Sequence, residues 1–193
     1  MAKPGVTKPR TPIAILSLKI TLVGTKPPIW RRILVPDRMI LGDLHVAIQA
    51  AMGWYNCHMH SFDIDGRQYG DVSADDEVAN ENALNLRRVG KTGVTTFSYT
   101  YDFGDNWEHR ITIEKPPAKL PGPPYPRCVA GKRACPPENS GGIWGYRESL
   151  EILADPAHPE YAERREWFED DLTPEAFDLA DVNLHLAAVF KNA

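Results

Sequence analysis

One short run of this 193-residue chain gathers side chains whose types could do chemistry. Residues 101–109 read YDFGDNWEH, which places three aromatic residues, three acids and a histidine around one glycine. Carboxylates suit hard divalent cations, and a neutral imidazole is a common ligand for zinc. The run is therefore predicted to be a catalytic loop, a metal site or the tip of a β-hairpin. The candidate site residues in it are Tyr101, Asp102, Asp105, Trp107, Glu108 and His109.

Three histidines are predicted to point into the protein. His109 alternates in phase with apolar residues after the glycine, and His58 and His60 share the parity of Phe62 and Ile64. If the three rings converge, they form a site for zinc or a related metal. If they do not, each is a buried ring held by one hydrogen bond. The second interpretation is favoured, so on balance no cofactor is predicted and a divalent metal is the alternative.

The alternation of residues 97–113 predicts an antiparallel hairpin. A three-residue loop over residues 104–106 pairs Phe103 with Trp107 and Tyr101 with His109. In that register an aromatic ladder faces the core and the imidazole of His109 lies on the same face.

The same register has an electrostatic consequence on the polar face of the hairpin. Asp102 would stand directly opposite Glu108, with Asp105 at the tip, and like charges in these positions are destabilising. Either Arg110 or another nearby arginine, with solvent screening, or a bound divalent cation would compensate. Both alternatives stay open, with the arginine favoured.

The cysteines give a weak metal signal. Cys128 and Cys135 are separated by six residues, whereas zinc knuckles use two to four. Together with Cys57 they make an odd number in a chain without an apparent export signal. Reduced thiols are therefore predicted, with Cys128 and Cys135 as a structural pair.

The elements that must position these residues follow from periodicity. LSLKITL and IWRRILV predict an N-terminal hairpin, LGDLHVAIQAAM a helix closed by Gly53, and DIDGRQY a second hairpin turning at Asp65-Gly66. Eight prolines in residues 116–137 predict an extended surface connector. Three helices follow: one with Leu150 and Leu153 inward, one with Tyr161, Phe168 and Leu172, and one capped by Thr173 with Phe177, Leu184 and Ala188 inward.

Strands early and helices late predict an α+β fold with an antiparallel or mixed sheet. Its N-terminal β-β-α-β unit is compatible with a β-grasp-like core. Residues 1–12 are predicted to be a flexible tail and residues 13–193 a single domain, with a helical part at 144–193.

Charge and hydropathy limit the classes of function. The net charge is −4, yet residues 1–60 are basic and residues 144–193 are acidic. Lys26, Arg31, Arg32 and Arg38 could touch phosphate, but without a dense basic run the chain is predicted to bind nucleic acid poorly. Mutual neutralisation of the two ends is the favoured interpretation. No apolar stretch is long enough for a membrane helix and no signal peptide is evident, so a cytoplasmic location is expected.

Six segments, KITLVGTKPPIWRRILVP, LGDLHVAIQAAMGW, HMHSFDIDGRQYG, YDFGDNWEHRITIEK, ACPPENSGGIWGY and DPAHPEY, run in order from about residue 13. Together they resemble the plasmid pRiA4b ORF-3-like family. The resemblance implies a compact α+β fold and leaves the activity open. Members are often labelled TnpR-like or passenger proteins of plasmids and insertion elements. The activated nucleophile and arginine cluster that a resolvase needs are not apparent here.

One departure from the family pattern concerns metal binding. Relatives commonly read ACPPEDCGG where residues 134–142 read ACPPENSGG, so Ser140 replaces a cysteine. A family zinc site that used that cysteine would be impaired in this chain. The resemblance therefore lowers the expectation of a thiolate-bound metal.

Two functions follow from these observations. The favoured one is a non-enzymatic accessory or binding module of plasmids and mobile elements, presenting its aromatic-acidic hairpin to a protein or nucleic-acid partner. Any exposed tryptophan among Trp30, Trp54, Trp107 and Trp144 would anchor such a partner. The alternative is a metal-dependent hydrolase, with phosphodiesters as the candidate substrates, in which His58, His60, His109, Asp102 and Asp105 hold an ion that activates water.

Overall fold

The computed structural model describes residues 12–71, 78–168 and 173–191. The strands are β1 (Ile15–Leu22), β2 (Trp30–Pro36), β3 (His60–Ile64), β4 (Arg67–Gly70), β5 (Ala79–Asn80), β6 (Thr96–Tyr101), β7 (Trp107–Glu114) and β8 (Arg127–Lys132). The helices are α1 (Leu41–Met52), α2 (Leu86–Lys91), α3 (Gly142–Ala154), α4 (Tyr161–Trp167) and α5 (Leu179–Val189). None of these helices is long and apolar enough to cross a lipid bilayer.

The described strands form one mixed sheet in the order β5-β4-β3-β6-β7-β1-β2-β8. Every neighbouring pair is antiparallel except β4 and β5, which are parallel. The predicted α+β class is confirmed, and β1, β2, α1 and β3 follow one another along the chain as expected. Residues 1–11 of the predicted tail lie outside the described residues.

The core forms where alternating strands meet α1. Leu18, Ile20 and Leu22 of β1 are buried, and so are the four α1 residues predicted from helical spacing. Those four are Leu41, Leu44, Ile48 and Met52. Gly53 ends the helix at φ +89°, a left-handed conformation that glycine adopts without steric cost. The Asp65-Gly66 turn is also confirmed, because Phe62 pairs with Tyr69.

The predicted register of the β6–β7 hairpin is wrong by two residues. Tyr101 pairs with Trp107, and Tyr99 pairs with His109. The loop therefore spans residues 102–106, and Phe103 is half exposed at the tip instead of joining the core ladder. His109 nevertheless faces inward and is fully buried, because a slip of two residues matches the two-residue period of a strand and leaves each side chain on its face.

The physical cause of the longer loop is Asp102. Its φ is +56°, and its Oδ1 accepts hydrogen bonds from the backbone N–H groups of Gly104 (3.0 Å) and Asp105 (3.3 Å). This local turn ends β6 at Tyr101, because aspartate tolerates the left-handed region and bonds its own loop. The predicted pairing of Asp102 with Glu108 does not occur, since Glu108 pairs with Thr100.

The proline-rich segment 116–137 is not wholly a connector. It contains β8, which pairs with β2 at the edge of the sheet. Residues 127–132 lack proline, so their backbone N–H groups remain available for a ladder. The prolines flank this strand on both sides.

The C-terminal helices differ from the prediction in their caps and faces. The last helix begins after Asp178, whose side chain accepts from the N–H groups of Ala180 and Asp181, and not after Thr173. Its buried residues are Val182 and Leu186, whereas the predicted inward Leu184 is 68% exposed. In α3 the fully buried stripe is Gly142, Tyr146, Ser149 and Ile152, while Leu150 and Leu153 are half-buried. Leu172 of the predicted middle helix lies outside the described residues.

Candidate functional site

A cleft of about 710 Å³ opens beside the N-terminal half of α1. Its walls come from α1, from β3 and β4, from residues 78–82 and from the hairpin loop. The lining side chains that carry chemistry are His45, His58, His60, Glu81 and Asp43. A cavity of this size with converging polar groups is the usual form of a ligand site.

Gly42 brings two walls of the cleft close together. A Cβ at this position would lie 2.4 Å from Asn82 Oδ1 and 3.4 Å from Glu81 Oε1. The segment after β5 can therefore approach α1 only because residue 42 has no side chain. This contact sets Glu81, which is 6% exposed, at the cleft wall.

A closed ring of four hydrogen-bonded residues supports the floor of the cleft. Gln49 Nε2 donates to Tyr99 Oη (3.0 Å), and the backbone N–H of Asn56 donates to Gln49 Oε1 (3.0 Å). His45 completes the ring through Nδ1 to Tyr99 Oη (2.7 Å) and Nε2 to Asn56 Oδ1 (2.6 Å). Every bond is satisfied if His45 carries its proton on Nε2 and Tyr99 donates to Nδ1. The ring joins α1, β6 and the chain after α1.

His60 lies on the face of this fixed ring. The imidazoles of His45 and His60 stack with centroids 3.5 Å apart and planes 2° from parallel. His60 Nε2 is 2.8 Å from Glu81 Oε2, so the histidine is also paired with a carboxylate. Burial, and then the charge of His60, lowers the pKa of His45 to about 4. His45 therefore stays neutral at neutral pH and serves as a support for His60.

Removing one hydroxyl should test the ring. Tyr99→Phe leaves His45 Nδ1 and Gln49 Nε2 without their partner, and we expect the free energy of unfolding to fall by about 1–3 kcal/mol. Chemical denaturation monitored by circular dichroism measures this loss. Tyr69→Phe on β4 is the matched control, because Tyr69 is only half-buried, and we expect its effect to be within about 0.5 kcal/mol. Equal stabilities for the two variants would contradict the ring.

A second cluster of polar side chains lies at the His58 end of the cleft. The ligand-type atoms of Cys57, His58 and Glu138 all lie within 4.8 Å of one another. His58 Nε2 is 3.9 Å from Glu138 Oε2 and 3.5 Å from Asp102 Oδ2. Tyr101 donates through its hydroxyl to Glu138 Oε1 (3.0 Å), which fixes the glutamate.

Comparison with known proteins gives the chain its relationships. A family model described as plasmid pRiA4b ORF-3-like protein matches residues 14–182. The chain belongs to this family. It is 42% identical over 160 residues to the uncharacterized protein y4hQ of Sinorhizobium fredii (strain NBRC 101917 / NGR234), covering 80% of each chain. It also resembles the crystal structure of MM3350, a protein of unknown function from Methanosarcina mazei Go1. That match has a TM-score of 0.82 and 41% identity, over 89% of this chain and 98% of that one.

The structure of this member of the pRiA4b ORF-3-like family does not bring His58, His60 and His109 into one group. His58 approaches Asp102 and Glu138, and His60 pairs with Glu81. His109 lies elsewhere, with Nδ1 3.3 Å from the carbonyl oxygen of Tyr99. Within the described residues, these three rings do not make a group with ligand atoms inside 4.8 Å. Strand alternation predicts which face of the sheet each ring lies on, but it does not predict where on that face the ring lies.

The predicted carboxylates are also distributed differently. Asp102 is buried and turned towards His58, whereas Glu108 is exposed on β7. Asp105 Oδ2 accepts from the backbone N–H of Gly141 (3.1 Å), which ties the hairpin loop to the start of α3. Tyr101 and Trp107 are fully buried and contribute no exposed anchor.

Cys128 and Cys135 of the connector carry free thiols, and Cys135 Sγ accepts a hydrogen bond from Arg31 Nη2 (3.4 Å). Cys128 is buried, and burial raises its pKa. Burial raises the pKa of Cys135 to about 11, despite the nearby guanidinium of Arg31. Protonated buried thiols are poor nucleophiles and poor metal ligands.

Sequence reasoning missed most of the residues that build this site. The omitted residues are His45, Gln49, Asn56, Cys57, Glu81 and Glu138. One signal was present, because His45 and Gln49 are polar residues four apart on the apolar stripe of an amphipathic helix. Such a pair indicates a buried polar network. The partners of that network lie on other elements and carry no comparable signal.

Proposed function

We propose that this chain is a non-enzymatic binding module whose cleft takes the cationic amino or guanidino group of a small polar molecule. The supporting observation is the charge of the cleft wall. Asp43, Asp71 and Glu81 line it, and no lysine or arginine does so among the residues that the structure describes. A concave wall lined by one sign of charge concentrates ligands of the opposite sign.

The aromatic-acidic hairpin contributes an apolar face to the same cleft. Phe103, at the tip of the hairpin loop, is 51% exposed and lines the cavity. A cation over an aromatic ring gains about 0.5–1 kcal/mol at exposed sites. The hairpin thus presents an aromatic residue beside carboxylates, a combination that suits an organic cation.

Binding without catalysis is supported by the state of two of the three histidines that line the cleft, His45 and His60. Both ring nitrogens of His45 are engaged in the closed ring, and His60 Nε2 is paired with Glu81. A general base needs a free nitrogen aimed at a substrate proton. The ring nitrogens of His45 and Nε2 of His60 are instead bound to neighbouring side chains of the protein.

A nucleic-acid ligand is disfavoured by the surroundings of the basic residues. Arg31 is only 3% exposed and donates to the carbonyl oxygens of Ala51 and Lys132. Arg32 is paired with Glu114 at 2.7 Å. Arg31 and Arg32, two of the residues predicted to contact phosphate, are therefore already bonded to groups within the protein. The family name supports an association with plasmids, and a role as an accessory protein of such elements is part of this proposal.

Calorimetric titration of the full chain, dialysed against a chelator, tests the proposed ligand class. Agmatine and spermidine represent free cations, a lysine-rich peptide represents a cation carried by a protein partner, and a short DNA duplex represents nucleic acid. We expect the cations to bind, and Glu81→Gln to weaken binding by about 10-fold, as loss of one charged hydrogen bond predicts. Added salt should weaken binding further.

Glu148→Gln is the matched control, because Glu148 is exposed on α3 and does not line the cleft. We expect this variant to bind as the parent protein does. Tighter binding of DNA than of either cation would overturn the proposal, and so would an unchanged affinity in Glu81→Gln.

A metal-dependent hydrolase is the second candidate function, and it requires an ion. The five ligands predicted from the sequence do not form one group, although two of them, His58 and Asp102, lie close together. Hydrolysis would need a coordination position open to the cleft, where a bound water could act as nucleophile.

A further inference from the structure

Two polar atoms are buried and unsatisfied at the His58 end of the cleft. His58 Nε2 and Glu138 Oε2 face each other at 3.9 Å, too far apart for a hydrogen bond. Neither atom has a hydrogen-bond partner among the described residues. The Glu138 side chain is only 9% exposed, so water does not readily replace the missing partner. An unsatisfied buried carboxylate oxygen is costly unless a cation pairs with it.

The rest of Glu138 is held rigidly. Its Oε1 accepts from the Tyr101 hydroxyl (3.0 Å) and from the backbone N–H of Tyr55 (2.9 Å). Trp54 donates through Nε1 to the carbonyl oxygen of Pro136 (2.9 Å), two residues before the glutamate. One carboxylate oxygen is thus fixed, and the other is directed at His58. Outer contacts of this kind orient the ligands of metal sites.

A sulfur completes the group. Cys57 Sγ lies within 4.8 Å of the ligand atoms of both His58 and Glu138. The Tyr101 hydroxyl that holds Glu138 also accepts from the Cys57 backbone N–H (3.1 Å), so one tyrosine fixes two members of the group. The three donor types are thiolate sulfur, imidazole nitrogen and carboxylate oxygen.

We propose that Cys57 Sγ, His58 Nε2 and Glu138 Oε2 bind a zinc-like divalent metal ion in the pRiA4b ORF-3-like chain. Zinc takes these three donor types in tetrahedral sites, whereas calcium and magnesium prefer oxygen alone. Typical zinc bond lengths place nitrogen and oxygen ligands about 3.4 Å apart. A closure of about half an ångström from the observed 3.9 Å reaches that geometry.

Three protein ligands leave the fourth tetrahedral position for water or another small ligand. Asp102 is near His58 but lies outside the three-residue group. His58 also lines the cleft, so the metal and the cleft adjoin each other. The metal site does not rest on the organic-cation proposal, since it uses neither Glu81 nor His60.

Metal analysis of full-length protein purified without a histidine tag tests this assignment. After incubation with zinc and removal of excess metal, we expect about one zinc per chain. Cobalt(II) should replace the zinc and give a thiolate-to-cobalt charge-transfer absorption in the near ultraviolet. Cys57→Ser should abolish that absorption, which a merely structural cysteine would not do.

The variants are chosen so that folding does not decide the outcome. Glu138→Gln keeps an oxygen that can accept from Tyr101 and Tyr55, so we expect this variant to fold. Its zinc affinity should fall by more than the roughly 10- to 100-fold that is typical when a residue hydrogen-bonded to a metal ligand is changed. Tyr101→Phe, which removes a hydroxyl that orients the ligands, should lower zinc affinity by about 10- to 100-fold. Circular dichroism checks the fold of each variant.

His185→Ala and Cys135→Ala are the matched controls, because His185 is exposed on α5 and Cys135 lies outside the group. We expect both to retain about one zinc per chain. Failure of the parent protein to take up stoichiometric zinc or cobalt would overturn the assignment. Retention of the metal and of the near-ultraviolet absorption by folded Cys57→Ser or Glu138→Gln would overturn it as well.

Discussion

Between pH 6.5 and about 4, the protein is expected to lose about 3 kcal/mol of its free energy of unfolding through His109 alone. His109 is fully buried on β7, beside the edge of Trp54 and the ring of Tyr99. Burial lowers its pKa from 6.5 to about 4, partly offset by backbone hydrogen bonds at Tyr99 and Trp107. Each unit of pKa difference between the folded and unfolded states corresponds to about 1.4 kcal/mol.

The sign follows from which state binds the proton. In this pH interval the unfolded chain protonates its histidine while the folded protein keeps His109 neutral. The unfolded state therefore binds more protons, and the free energy of unfolding falls as the pH falls. The loss of stability through His109 is absent well above pH 6.5, grows as the pH falls, and levels off below about pH 4. His45, whose pKa is lowered to about 4 as well, adds a loss of the same sign.

Denaturant titrations at several pH values measure this dependence. We expect His109→Leu to reduce the loss between pH 6.5 and 4 by about 3 kcal/mol, because the apolar side chain cannot take up a proton. At pH 7 a replacement of similar volume should change stability by less than about 1.5 kcal/mol. His185→Leu, at an exposed position, is the control and should leave the pH profile unchanged. Parallel profiles for the parent and His109→Leu would contradict a neutral buried ring.

Leu186→Ala is expected to lower the free energy of unfolding by about 2–5 kcal/mol. Leu186 is 1% exposed and belongs to the core cluster, on the face where α5 packs against α1 and β8. Truncating it removes apolar burial and leaves a cavity between packed elements. Urea denaturation measures the loss.

Leu184→Ala is the matched control on the same helix. Leu184 is 68% exposed, so we expect a change within about 0.5 kcal/mol. The pair distinguishes the observed helix face from the one predicted by sequence spacing, which placed Leu184 inward. A larger loss for Leu184→Ala than for Leu186→Ala would restore the predicted face.

The sequence determined the regular elements with strong local signals. Alternation in β1 and helical spacing in α1 depend on neighbours a few residues apart, so they can be read without knowing the fold. The Asp65-Gly66 turn is equally local, because both residues tolerate positive φ. The inward orientation of His109 was predictable for the same reason, since the register error of two residues equals the side-chain period of a strand.

Weak signals produced the errors in the fold. The hairpin register depended on whether Asp102 continued β6 or bonded the loop, and alternation alone does not distinguish these states. In α5 the sequence LADVNLHLAAV has apolar residues on more than one side of the helix, so spacing alone allows two apolar faces. Contact with α1 and β8 selected the face that carries Val182 and Leu186.

Only the tertiary structure decided which polar residues share a site. Glu138 reaches His58 from 80 residues away along the chain, and Glu81 reaches His60 because Gly42 admits its segment beside α1. Such encounters depend on sheet order and on the path of the proline-flanked strand β8, which are non-local properties. Side-chain type and parity specify a face, whereas a binding site requires a position on that face.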